Sequence, residues 1–130
     1  MGVSDSPRKT ASFPGQAPID AYGNGGFRFA EMSHKGSLIC LPSQMTAWNV
    51  TDVGLLKPQD FALVFEETHP LQFLLLGTGI ELVVPPEPVM AAFSDAGIGL
   101  EPMSTGAAAR TYNVLLAERR LVATALFAVD

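Results

Sequence analysis

The chain has 130 residues, of which 48% are hydrophobic and only 16% charged, and a net charge of −5. This marks a single globular domain with few spare charges, and the lack of any basic stripe or basic–aromatic interleaving argues against general nucleic-acid binding. The lone cysteine, Cys40, excludes an intramolecular disulfide framework and a cysteine-cluster metal site, and points to a reducing compartment.

Residues 1–18, rich in proline, serine and glycine, cannot bury enough apolar surface to offset their ordering entropy, and a flexible amino-terminal tail is expected there. It has no apolar core of a secretory signal, so a cytoplasmic location is expected. Residues 19–130 are then one domain. Ile19-Asp20-Ala21-Tyr22 leads into the turn-forming cluster Gly23-Asn24-Gly25-Gly26, and Phe27-Arg28-Phe29-Ala30 alternates as a strand does. His34-Lys35-Gly36 reads as a turn and Ser37 to Leu41 as the returning strand of an antiparallel hairpin, with Cys40 as a buried, inert thiol. Pro42 ends that strand, and Met45 to Val50 follows with Trp48 as core filler.

Lys57-Pro58-Gln59-Asp60 begins a short helix that presents Phe61, Val64 and Phe65 on one face and closes at Thr68-His69-Pro70. Leu71 to Leu76 is almost wholly apolar, as in a strand buried on both faces, and ends at Gly77-Thr78-Gly79. Pro86 to Ala96 is a helix with Gly97 suited to its C′ position, and Gly99 to Pro102 is a short strand. Ser104 or Thr105 caps a helix over about residues 106–118, with Ala108, Tyr112, Leu115 and Leu116 inward, and Leu121 to Val129 is the last strand. The second half is thus β-α-β-α-β, which predicts an α/β domain with a mostly parallel sheet there and an antiparallel hairpin in the first half. No hydrophobic run reaches the roughly 20 residues of a membrane helix.

Gly77-Thr78-Gly79 is neither a Walker loop nor a dinucleotide fingerprint, because Leu82 stands where a third glycine would. A tight turn against a neighbouring element and a ligand loop are both open. The segment Met103 to Asn113 likewise reads either as capping and close packing or as an anion site using backbone N–H groups and Arg110. Arg119 and Arg120 favour a helix carboxyl end and equally suit an acidic partner surface. His34 and His69 are isolated, and Glu66-Glu67 sit side by side as solvated carboxylates. No nucleophile–base pair, metal-ligand spacing or cofactor motif assembles, so neither an enzyme activity nor a cofactor nor a metal is expected.

Several strings share an order and spacing with a known family. They are Ile19-Asp20-Ala21-Tyr22-Gly23-Asn24-Gly25-Gly26-Phe27, Gly36-Ser37-Leu38, Leu76-Gly77-Thr78-Gly79, Met103-Ser104-Thr105 through Arg110-Thr111-Tyr112-Asn113, Leu115 to Arg120, and Val122 to Leu126. From residue 19 to the carboxyl end the chain resembles the family that includes the mitochondrial respiratory complex I assembly factor 3 and small bacterial and archaeal relatives of unknown function. The resemblance implies a single three-layer α/β fold with a central mixed sheet, and no established enzyme activity. Its recurrent residues fall here on Gly77, Thr78, Gly79, Met103, Thr105, Arg110, Thr111, Tyr112 and Asn113, expected to form a shared pocket or interaction surface. The leading expectation is a non-enzymatic protein-interaction module that assists assembly of respiratory complex I or another inner-membrane complex from the cytoplasmic side, with Arg119 and Arg120 as partner contacts. The alternative is a small-molecule or anion-binding protein, or a cryptic enzyme, with its site at the Gly77–Gly79 loop and the start of the following helix.

Overall fold

Leu74, Leu75 and Leu76 are all buried, and they alternate between two separate cores. That alternation places their strand inside a sheet covered on both faces, where each leucine contributes about 2 kcal/mol of burial. The computed structural model describes residues 12–130. A six-stranded sheet runs in the order β1-β6-β5-β9-β7-β8. Its strands are β1 (Ser12–Pro14), β5 (Leu38–Leu41), β6 (Gln44–Ala47), β7 (Phe73–Gly77), β8 (Gly99–Met103) and β9 (Ala123–Leu126). A second, three-stranded antiparallel sheet holds β2 (Ala21–Gly23), β3 (Gly26–Phe29) and β4 (Met32–Lys35).

β7 pairs parallel with β8 and β9, while β9, β5, β6 and β1 pair antiparallel in turn. The sheet is therefore mixed, as the two halves of the sequence imply. One face carries α1 (Ala62–Phe65) and α2 (Glu87–Ala96) over Ile39, Leu41, Leu74, Leu76, Ala123 and Ala125. Trp48, Phe61 and Phe93 pack edge to face or tilted in that layer, and the Trp48 indole N–H donates to the Asp60 carbonyl at 2.7 Å. The other face carries α3 (Thr105–Ala117) and the small sheet over Leu38, Cys40, Leu75 and Leu126. Three layers result.

The β-α-β-α-β half lies where its periodicity puts it. Gly97 ends α2 at φ 72°, its N–H returning to Phe93 and Ser94, and Ser104 caps α3 by accepting from Ala107 N at 3.2 Å. The first half departs from expectation. β3 pairs with β4, not with Ser37–Leu41, which belongs to the large sheet as β5. The turn falls at Ala30-Glu31, both at positive φ (49° and 63°), a conformation that hairpins want and that glycine or asparagine usually announces. Without those residues the turn is silent in the sequence. His34 consequently lies in a strand and is 2% exposed, not in a turn.

Within the stretch expected to be a tail, Ser12–Pro14 instead pairs with β6, and Gly15 N–H donates to Ser43 O at 3.0 Å. Residues 1–11 of that expected tail lie outside the described residues. Glu67 is not simply solvated: it accepts from Ser43 Oγ and from His69, each at 2.6 Å.

Candidate functional site

Of the expected site residues, Gly77, Thr78, Gly79, Met103 and Thr105 meet in one hydrogen-bonded network at the carboxyl ends of β7 and β8. Thr78 N–H donates to Met103 O at 2.8 Å. The Thr78 hydroxyl accepts from Val83 N at 2.9 Å and donates to Glu81 O at 2.7 Å, with Met103 O a second acceptor at 3.1 Å. Thr105 does the same from α3: its N–H donates to Gly79 O, while its hydroxyl accepts from Gly79 N at 3.0 Å and donates to Phe127 O at 2.7 Å. Phe127 N closes the circle on Gly77 O at 2.8 Å. Of the two adjacent hydroxyls, Ser104 is the cap and Thr105 the bolt between β7, β9 and α3.

The glycines serve two different needs. A Cβ at Gly77 would lie 2.9 Å from both Leu126 Cδ2 and Thr105 Cα, so the helix can approach only a bare backbone. Gly79 takes φ 114°, which L side chains avoid. The tight turn is therefore fully accounted for, and the N–H groups of Thr78, Gly79 and Thr105 are spent on protein acceptors. The loop they hold displays Ile80 (73% exposed), Leu82, Val83 and Val84 to solvent.

The remaining expected residues are spread along α3. Tyr112 is buried and donates its hydroxyl proton to Ala17 O at 2.8 Å. Burial, with the Cys40 thiol beside it, holds that phenol above its usual range. Burial likewise pushes the Cys40 thiol up, offset only in part by Tyr112, so Cys40 stays an uncharged core residue. Asn113 clamps the backbone of Ile19 from both sides, accepting from its N–H and donating to its carbonyl, each at 2.8 Å. Thr111 is half-buried. Arg110 turns back over Gly106, where its guanidinium and the Tyr22 hydroxyl crowd the space a Cβ would need. Arg119 and Arg120 stand at the far end of the 13-residue helix, about 20 Å from Thr105 by helical rise. These residues do not form a single pocket.

A cavity of about 500 Å³ lies elsewhere, on the three-stranded sheet, lined by Tyr22, Asn24, Arg28, Ser33, His34 and Lys35 among others. Arg28, Ser33 and Lys35 alternate with core positions along β3 and β4, a period-2 signal lost once β4 is read as a turn. Among the described residues, no group of three His, Cys, Asp or Glu is placed to hold a metal ion, and no helix is long and apolar enough to cross a membrane.

Known proteins resemble this chain over most of its length. A crystal structure of a protein from Bartonella henselae, described as an outer membrane protein, superposes with a TM-score of 0.85 at 52% identity, covering 91% of this chain and 99% of that one. An uncharacterized protein of Rhodobacter capsulatus is 36% identical over 93% of this chain and 91% of its own. The NADH dehydrogenase [ubiquinone] 1 alpha subcomplex assembly factor 3 of Mus musculus is 28% identical over 89% of this chain, which spans 63% of the mouse protein's length. The model of a family described as protein of unknown function, DUF498/DUF598, matches residues 19–127, and the chain belongs to that family.

Proposed function

We propose that the chain is a protein-interaction module that assists assembly of respiratory complex I, or of another complex at the inner membrane, without catalysing a reaction. The reading rests on the loop after β7. Thr78 and Thr105 spend their hydrogen bonds holding that loop in one shape, and the side chains so displayed, Ile80, Leu82, Val83 and Val84, are apolar and exposed. An ordered apolar ridge costs solubility and suits a protein partner. The name of the mouse relative supplies the partner class, a subunit of the NADH dehydrogenase under construction. Arg119 and Arg120 at the end of α3 would add contacts to acidic groups of the same partner.

The alternative, a small ligand or anion held between Gly77–Gly79 and the start of α3, has less support, because the N–H groups of Thr78, Gly79, Thr105 and Ala107 already have protein acceptors. The test is a tagged chain expressed in its native host, purified in mild detergent and probed for NADH dehydrogenase subunits. The module reading expects those subunits to be enriched, and to be lost with Ile80→Asp/Val84→Asp in a variant that still folds. A deletion strain with normal amounts of assembled complex I, together with no such subunit captured, would overturn it.

A further inference from the structure

We propose that the three-stranded sheet carries a binding site for a small polyanion, a molecule bearing phosphoryl or several carboxylate groups. The register pairs Ala21 with Arg28 and Ser33, and Gly23 with Gly26 and Lys35. Directly paired residues share a face, so Arg28, Ser33 and Lys35 project from the same side as Ala21, Gly23 and Gly26. Three minimal side chains leave that side hollow between two cations. The hollow is fixed by the backbone: a Cβ on Gly26 would collide with the His34 carbonyl oxygen, and Gly23 holds φ 131°. Its volume of about 500 Å³ falls in the range of metabolite sites.

The charges are unbalanced in the way an anion site requires. The chain is acidic overall, with eight Lys and Arg against thirteen Asp and Glu, yet the cavity lining includes Arg28 and Lys35 and no carboxylate. Among the described residues, the ion pair found joins His69 and Glu67 and involves neither cation. Arg28 Nη1 instead donates to Ser33 Oγ at 2.8 Å, which orients the guanidinium while leaving further N–H donors of its fork for a ligand. Field lines from two cations that have no charged partner among the described residues converge in such a cleft.

His34 pairs with Phe27, so its side chain lies on the core-facing side of this sheet, opposite Arg28 and Lys35, and is 2% exposed. Its Nε2 lies 2.9 Å from the Ser37 carbonyl, to which it donates. Nδ1 is the buried side-chain polar atom that has no partner among the described residues.

The experiment is an NMR titration of the isotope-labelled full chain with sodium phosphate, with sodium citrate, and with sodium chloride at matched ionic strength. The expected result is a saturable shift centred on the amides of Gly23, Gly26 and Ser33 with a polyanion and not with chloride. Tighter binding of phosphate assigns the phosphoryl class, and tighter binding of citrate the polycarboxylate class. Arg28→Gln/Lys35→Gln, at exposed positions, should keep the rest of the spectrum and weaken binding by at least about tenfold. Shifts that follow ionic strength alone, no saturable response to either polyanion, or unchanged affinity in the double variant would each overturn the proposal.

Discussion

The loop after β7 and the small sheet use their polar groups in opposite ways. Around Gly77–Gly79 the hydroxyls of Thr78 and Thr105 and the neighbouring N–H groups all end on protein atoms, and what faces water is apolar. On the small sheet the core-facing side is largely apolar, while Arg28 and Lys35 on the outer side lack a charged partner among the described residues. A polar group already matched within the chain is a structural part; one left unmatched is available to another molecule. By that criterion the motif most conspicuous in the sequence is architecture, and the less conspicuous strand pair is the place to look for a ligand.

Substitutions can break this contrast. Gly77→Ala should have the largest effect, because the new methyl meets the Thr105 backbone as well as the flexible Leu126 side chain. A loss of about 3 kcal/mol in chemical denaturation is expected, and a loss below about 1 kcal/mol would mean that α3 can retreat and the network is looser than it looks. Thr105→Val keeps shape but strands Phe127 O and Gly79 N–H, at a cost of about 2 kcal/mol. The same measurement on Arg28→Gln should give a change under about 0.5 kcal/mol, since that side chain is exposed and holds a single solvent-accessible hydrogen bond to Ser33. Equal costs for Thr105→Val and Arg28→Gln would erase the distinction between the two regions.

What the sequence disclosed follows the same line. The β-α-β-α-β half was legible because local signals mark it: apolar runs, the Gly97 cap, Ser104 before α3. Gly77, Thr78, Gly79 and Thr105 could be picked out because glycines at a strand end and a hydroxyl at a helix start are local too. The most consequential misreading in the first half was the Ala30-Glu31 turn, and that error hid β4, the burial of His34 and the shared face of Arg28 and Lys35. Nor could the roles of Tyr112 and Asn113 be read, since their partners Ala17 and Ile19 stand 95 and 94 positions away in the chain. Long-range pairing leaves no periodic trace.

A smaller effect probes strain in place of pairing. α3 ends in a Schellman turn, with Arg119 N–H on Leu116 O and Arg120 N–H on Leu115 O, and this forces Arg119 to φ 62° where glycine is the usual occupant. Arg119→Gly should therefore raise stability by about 0.5–1 kcal/mol. If Arg119 touches a partner, the same variant captures less NADH dehydrogenase subunit while being the more stable protein, an outcome that a purely structural arginine would not give. Lower stability would show that its side chain contributes more to the fold than its backbone costs.

Glu67 lies between the two extremes, a carboxylate near the surface whose side chain is matched and largely covered. Burial is the largest single influence and raises its pKa, yet the hydrogen bonds involving Ser43 and His69 together outweigh it and hold the carboxyl below the usual glutamate value. A carboxyl with a depressed folded-state pKa adds stability that is fully present above its unfolded pKa, near 4.5, and is lost as pH falls through the folded value. Glu67→Gln should therefore cost about 0.5 kcal/mol at pH 7, in keeping with surface pairs. As pH falls below that unfolded value and through the folded one, the gap between the two proteins should shrink toward zero, because protonation removes from the wild type much of what the substitution removes. Denaturation curves across that interval decide the matter: a gap that stays constant would mean that the geometry of the Ser43–Glu67–His69 contact, and not its charge, is what the fold uses.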